Sequence, residues 1–94
     1  MNKQDLVNQL ADRLEVSKPR AAAILDALFS PEGIISVALK QGDKVQVSGF
    51  GQFETRRRKA REGRNPRTGE TLSIAASTVP AFKPAKGLKD LLND

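Results

Sequence analysis

The 94-residue chain has no cysteine, histidine, tryptophan or tyrosine, and phenylalanine, at four, is its only aromatic residue. Without cysteine there is no disulfide and no thiolate zinc site; without histidine the commonest metal ligand and general base is missing too. No paired carboxylates and no glycine-rich phosphate loop between a strand and a helix take their place. An enzyme is therefore the least supported reading, and neither a metal, a cofactor nor a small-molecule substrate is expected. No apolar run appears long enough to cross a bilayer, so no membrane partner is expected. The first residues, Met1-Asn2-Lys3-Gln4-Asp5, enter an amphipathic pattern directly, with no signal-like apolar run, and a cytosolic protein is expected.

So short a chain has room for one domain, residues 1–94, with a small core that a partner subunit would help to complete. What the chain has in excess is positive charge: 16 Lys and Arg against 11 Asp and Glu, a formal +5. Such an excess on a small domain points to a polyanionic partner. Its distribution is more informative: Arg56, Arg57, Arg58, Lys59, Arg61, Arg64 and Arg67 fall within twelve residues whose only acid is Glu62.

Leu6, Val7, Leu10, Ala11 and Leu14 recur at helical spacing behind Asn2, which predicts a first helix over about residues 3–14. Ser17 caps a second, with Pro19 in its first turn and Ala22, Leu25, Leu28 and Phe29 as its apolar stripe. Ser30-Pro31-Glu32-Gly33 interrupts the pattern, and a separate helix is expected from Pro31 to Lys40, ended by Gly42. From Lys44 the period becomes two. Val45 and Val47 form one strand, Gly49-Phe50-Gly51 a turn, Phe53 and Thr55 a second strand, and Leu72, Ile74 and Ala76 a third. Pro84 is expected to open a last helix carrying Leu88, Leu91 and Leu92. The fold class is α+β, with a helical part over 1–42, an antiparallel sheet over 43–82 and a C-terminal helix over 83–94.

Within the sheet region, residues 55–72 have no apolar face to bury and must project into solvent as an arm. Gly63, Asn65-Pro66 and Gly69 place the tip near Asn65 to Thr68. About ten residues per strand would reach roughly 30 Å. A basic run alone fits a solvated loop or a localisation signal equally well, but neither explains a tip of turn formers. Phe50, Phe53 and Phe82 lie among valines and glycines rather than basic residues, which favours core over base stacking.

The residues Gly49-Phe50-Gly51-Gln52-Phe53, Gly63-Arg64-Asn65-Pro66-Arg67-Thr68-Gly69-Glu70 and Val79-Pro80-Ala81-Phe82 leading to Gly87-Leu88-Lys89-Asp90 resemble the bacterial HU and integration host factor proteins, and the resemblance covers nearly the whole chain. It implies an intertwined dimer with a helical body, an antiparallel sheet and two long β-ribbon arms that enter the minor groove of double-stranded DNA, Phe50, Phe53 and Phe82 forming the dimer core. The protein would then be nucleoid-associated, binding, bending and compacting DNA largely without sequence preference. The tip proline, here Pro66, would be the wedge inserted between base pairs, as in that family. The DNA-binding set implied is Lys3, Arg56, Arg58, Lys59, Arg61, Arg64, Asn65, Pro66, Arg67, Thr68, Lys83 and Lys86, with Lys89 beside them. A sequence-preferring bender of the integration host factor type and a heterodimer with a paralogue stay open, and the charge also admits RNA. Two departures stand out. The returning strand carries Glu70, Thr71 and Ser73 where relatives often have lysine, and the Ser30–Gly33 break replaces a usually uninterrupted helix.

Overall fold

The computed structural model describes residues 1–94 as two units, Met1–Gln41 and Gly42–Asp94. In the first, α1 (Lys3–Leu14) starts in a capping box: the Asn2 side chain accepts from the Asp5 N–H at 2.9 Å, and the Asp5 carboxylate accepts from the Asn2 N–H at 3.0 Å. Glu15 ends it in the left-handed conformation, φ 56°, donating its N–H to the Ala11 carbonyl. α2 (Lys18–Phe29) begins at Ser17, whose hydroxyl accepts from the Arg20 N–H at 3.2 Å. Val7 and Ala11 of α1 close on Ala21 of α2, with Leu10, Val16, Ala22 and Leu25 around them. These three small residues are the whole buried apolar core, and no large side chain is fully buried.

The separate third helix exists, but it starts later than Pro31. α3 runs from Ile34 to Lys40 with Gly33 as its N-cap. Ser30 is occupied with ending α2: its N–H and its hydroxyl both donate to the Asp26 carbonyl, at 3.2 and 2.7 Å. The N–H that would seek a cap on Ser30, that of Gly33, goes instead to the Ser30 carbonyl at 2.8 Å, so Ser30–Gly33 form a turn rather than the start of a helix at Pro31. Contrary to the expectation that no run is long and apolar enough, Lys18–Lys40 taken as one helix has the length to cross a bilayer and contains an 18-residue window of mean hydropathy 1.6. The turn cuts it into pieces of 12 and 7 residues, about 18 and 10 Å long, against a hydrocarbon thickness of about 30 Å. Its apolar side chains nonetheless stay uncovered: Phe29 is 56% exposed and Ile34 67%.

In the second unit the order of elements follows the period change, with five strands where three were expected. β1 (Val45–Val47), β2 (Gly51–Arg58) and β5 (Ser77–Pro84) make an antiparallel sheet with β2 central, and β3 (Arg61–Arg64) pairs with β4 (Thr71–Ile74). The expected third strand is two pieces, because Ala75 and Ala76 drop out of the ladder opposite Lys59 and Ala60. The register is unchanged across that gap: Arg58 faces Ser77 before it and Arg61 faces Ile74 after it. No residue is inserted on either side, so the ribbon is interrupted without slipping. Lys83 and Pro84, assigned by pattern to the C-terminal helix, belong to β5, and α4 runs from Lys86 to Leu92. Pro84 is tolerated at a strand end, where no further ladder donor is needed.

Phe82 sits between Phe53 and Phe50, with ring centroids 5.0 and 5.6 Å away. Gly51 makes room for it: a Cβ there would lie 2.5 Å from Phe82 Cζ. Yet Phe50 and Phe82 remain 47% and 41% exposed, so within one chain the trio is a surface rather than a core.

Candidate nucleic-acid interface

The arm begins where β2 and β5 outrun β1. Directly opposite residues share a face of the ribbon, so Arg56 (opposite Val79) and Arg58 (opposite Ser77) lie on one face, and Arg57 (opposite Thr78) on the other. Arg56, Arg58, Lys59, Arg61, Arg64 and Arg67 are all exposed and none forms an ion pair within the chain. Like charges at this density repel, and only a polyanion or salt relieves the repulsion. Arg57 differs: its guanidinium donates to the Thr78 hydroxyl at 3.1 Å, a cross-strand strap at the base of the arm.

The tip is built by Asn65. Its side chain accepts from the Arg67 N–H at 2.9 Å, its N–H donates to the Glu70 carbonyl at 2.8 Å, and its carbonyl accepts from the Gly69 N–H at 2.7 Å. The Thr68 hydroxyl accepts from the Glu70 N–H at 3.3 Å, and Gly69 supplies the positive φ, 74°, that closes the turn. Asn65 and Thr68 are thus occupied in shaping the tip, while Pro66 is left exposed at its apex with Arg64 and Arg67 beside it.

The remaining lysines are placed less simply. Lys3 donates to the Asp26 carboxylate at 2.6 Å, both side chains being mostly solvated. Lys83 lies 3.2 Å from Oε1 of Glu54. Glu54 is the buried acid that sequence reasoning missed: only 7% exposed, and, since Lys83 is outside hydrogen-bonding geometry, its Oε1 has no hydrogen-bond partner. The sole signal was its place in the alternation, on the same face as Lys83 of the neighbouring strand. Neither lysine is a free cation, whereas Lys86 and Lys89 of α4 are exposed and unpaired.

An α+β fold carrying an arginine-lined two-stranded ribbon with a proline tip defines a class of ribbon-armed polyanion binders. The family described as Bacterial DNA-binding protein matches residues 1–93, and the chain belongs to that family. It is similar to DNA-binding protein HU-1 of Halalkalibacterium halodurans, 54% identical over 99% of this chain and 100% of that protein, and to DNA-binding protein HU 1 of Bacillus subtilis, 54% identical over 96% and 95%. Among solved structures it resembles that of an Anabaena HU–DNA cocrystal (TM-score 0.86, 47% identity, 98% of this chain and 97% of that one) and HU from Thermotoga maritima (TM-score 0.66, 32% identity, 98% of both).

Proposed function

We infer that this protein is an architectural, histone-like DNA-binding protein: a homodimer that holds duplex DNA between two arginine-rich arms, bends it through the minor groove with Pro66 as the wedge, and so organises a bacterial nucleoid in the cytoplasm. The observation that carries the reading is the tip, where Asn65 folds the turn and Pro66 is left free at its apex between Arg64 and Arg67. A rigid apolar ring opens a base step while flanking arginines hold the groove, whose negative potential favours them. Its relative of known structure from Anabaena was crystallised with DNA.

A second copy is supported by apolar surface left uncovered in each unit: Phe29 and Ile34 in the first, and Phe50 and Phe82 in the second, all exposed and all available for a partner subunit to bury. Lys59, Arg61, Arg64 and Arg67 supply attraction along the arm, with Arg56 and Arg58 at its base and Lys86 as a further cation. Lys3 and Lys83 join the interface only in competition with Asp26 and Glu54.

Two expectations test the electrostatic part. If about six phosphates are neutralised, log K should fall with log salt at a slope of about −5 in a fluorescence-anisotropy titration, and a slope near zero would remove the model. With no histidine in the chain, affinity should change by less than about threefold between pH 6 and pH 8, and a steep dependence would reveal a titrating group in the interface. Shuffled and unshuffled duplexes at one salt concentration distinguish this reading from a sequence-preferring bender, and competition with duplex RNA tests the choice of nucleic acid.

A further inference from the structure

The gap in the arm ladder leaves one serine in an unusual position. Ser77 is the first residue of β5 after the unpaired Ala75 and Ala76, it is exposed, and its hydroxyl makes no hydrogen bond within the chain, whereas the neighbouring Thr78 hydroxyl is held by Arg57. Directly across the ribbon is Arg58, and the diagonal neighbour on the same face is Arg56. Opposite and diagonal side chains of an antiparallel pair are about 5 and 7–8 Å apart at their base, within reach of a guanidinium. Ser77 also lines an open cleft of about 380 Å³ together with Arg58, Lys59 and Arg61. Arg58 across the ribbon, Arg56 on the diagonal, and Lys59 and Arg61 in the cleft set four cations about an unengaged hydroxyl, a receptacle for a phosphate attached to it.

We propose that Ser77 is a phosphorylation site, modified by a nucleoside-triphosphate-dependent serine/threonine kinase, and that the phosphoserine draws Arg56 and Arg58 onto itself and so detaches the base of the arm from DNA. In the transfer the Ser77 oxygen bonds the γ-phosphorus, the bond from that phosphorus to the β-phosphate oxygen breaks, the nucleoside diphosphate leaves, and the hydroxyl proton passes to the kinase's carboxylate base. A kinase takes its substrate as an extended, separable strand, and Ala75 and Ala76, small and outside the ladder, supply one immediately before the serine. The product carries a charge of about −1.5 to −2 and three strong acceptors, enough to occupy two arginines bidentately. The other hydroxyls of β4 lack a pair of arginines: Ser73 faces Glu62, and Thr71, although opposite Arg64, has Glu62 as its diagonal neighbour on the same face.

The regulatory half of this proposal rests on the DNA-binding reading, and the two are tested separately. Phosphoserine is installed at position 77 of the full chain by genetic encoding. Without DNA, its phosphorus resonance should show the second ionisation about one pH unit lower in the native arm than in the Arg56→Gln/Arg58→Gln arm. Equal ionisation in both overturns the proposal. With duplex DNA, the modified protein should bind at least tenfold more weakly than a protein carrying phosphoserine at Ser73, and its salt slope should be shallower by about 1.8 per arm, the equivalent of two lost phosphate contacts. Equal affinity of the two phosphoproteins overturns it as well. Failure of the unmodified protein to bind DNA would defeat the DNA-binding reading and the regulatory half with it, while the phosphorus titration still decides the arginine clamp. Finally, a purified bacterial serine/threonine kinase domain with ATP should label Ser77 ahead of Ser73 and Thr71 by mass spectrometry; labelling confined to the other two overturns the assignment of the site.

Discussion

Replacing Phe82 with alanine should destabilise the protein by about 3–5 kcal/mol, with DNA binding lost through unfolding, even though the ring is 41% exposed in the single chain. The size of the effect is the point. A ring left nearly half in water loses only part of its transfer free energy on truncation, about 1–2 kcal/mol at the usual 25 cal/mol per Å² of apolar area. The larger figure is expected only if a second subunit covers the remaining face, closing the cluster in which Phe82 touches Phe53 and Phe50 and fills the space left at Gly51. Chemical denaturation at two protein concentrations separates the cases, since the midpoint of a folding-coupled dimer rises with concentration. A loss near 1 kcal/mol with a concentration-independent midpoint would place Phe82 on a free surface. A variant that stays folded and dimeric but loses DNA affinity would make the rings DNA contacts. Phe50→Ala should behave alike.

The same residues show where the sequence was legible and where it was not. Period and capping chemistry are local, so helices at Lys3–Leu14 and Lys18–Phe29, a turn at Gly49-Phe50 (observed at Ser48–Phe50, with Gly51 already in β2) and the tip around Pro66 were all readable from neighbours in the chain. The start of α3 was misread because serine can close one helix or open the next; here the Ser30 N–H and hydroxyl both donate to the Asp26 carbonyl, and the Gly33 N–H goes to the Ser30 carbonyl. The gap at Lys59-Ala60 and Ala75-Ala76 was invisible because alternation continues through it; pairing is a property of two strands, and neither one alone records its loss. Glu54 was missed for a related reason. A carboxylate inside a strand reads as solvent-facing until the partner strand shows Lys83 at 3.2 Å and burial on the other side. Among the site residues, the arm arginines needed no partner to be recognised, while Lys3 and Lys83 were read as free cations because their acids lie 23 and 29 positions away in sequence.

Pro66→Ala should separate bending from attachment. The tip hydrogen bonds are made by Asn65, Thr68 and the Gly69 N–H, none of which needs the proline ring, so the turn should survive the substitution and only the wedge should be removed. On the proposed reading, attachment comes from Arg56, Arg58, Arg61 and Arg64, whose attraction to phosphates does not require a kink. Opening a base step costs a few kcal/mol, and with no ring to occupy the opened step that cost is no longer offset. The variant is therefore expected to bind intact duplex within about tenfold of the parent at equal salt, with an unchanged salt slope, while bending it less. On nicked or mismatched DNA the stack is already weakened and a wedge has less to do, so the bending deficit should shrink there. End-to-end energy transfer on intact and nicked duplexes, at matched occupancy for both proteins, measures the difference directly. If parent and variant bend intact DNA equally, Pro66 is a turn residue and the arms are electrostatic clamps; if the deficit is as large on nicked as on intact DNA, the ring acts by shaping the tip rather than by unstacking a step.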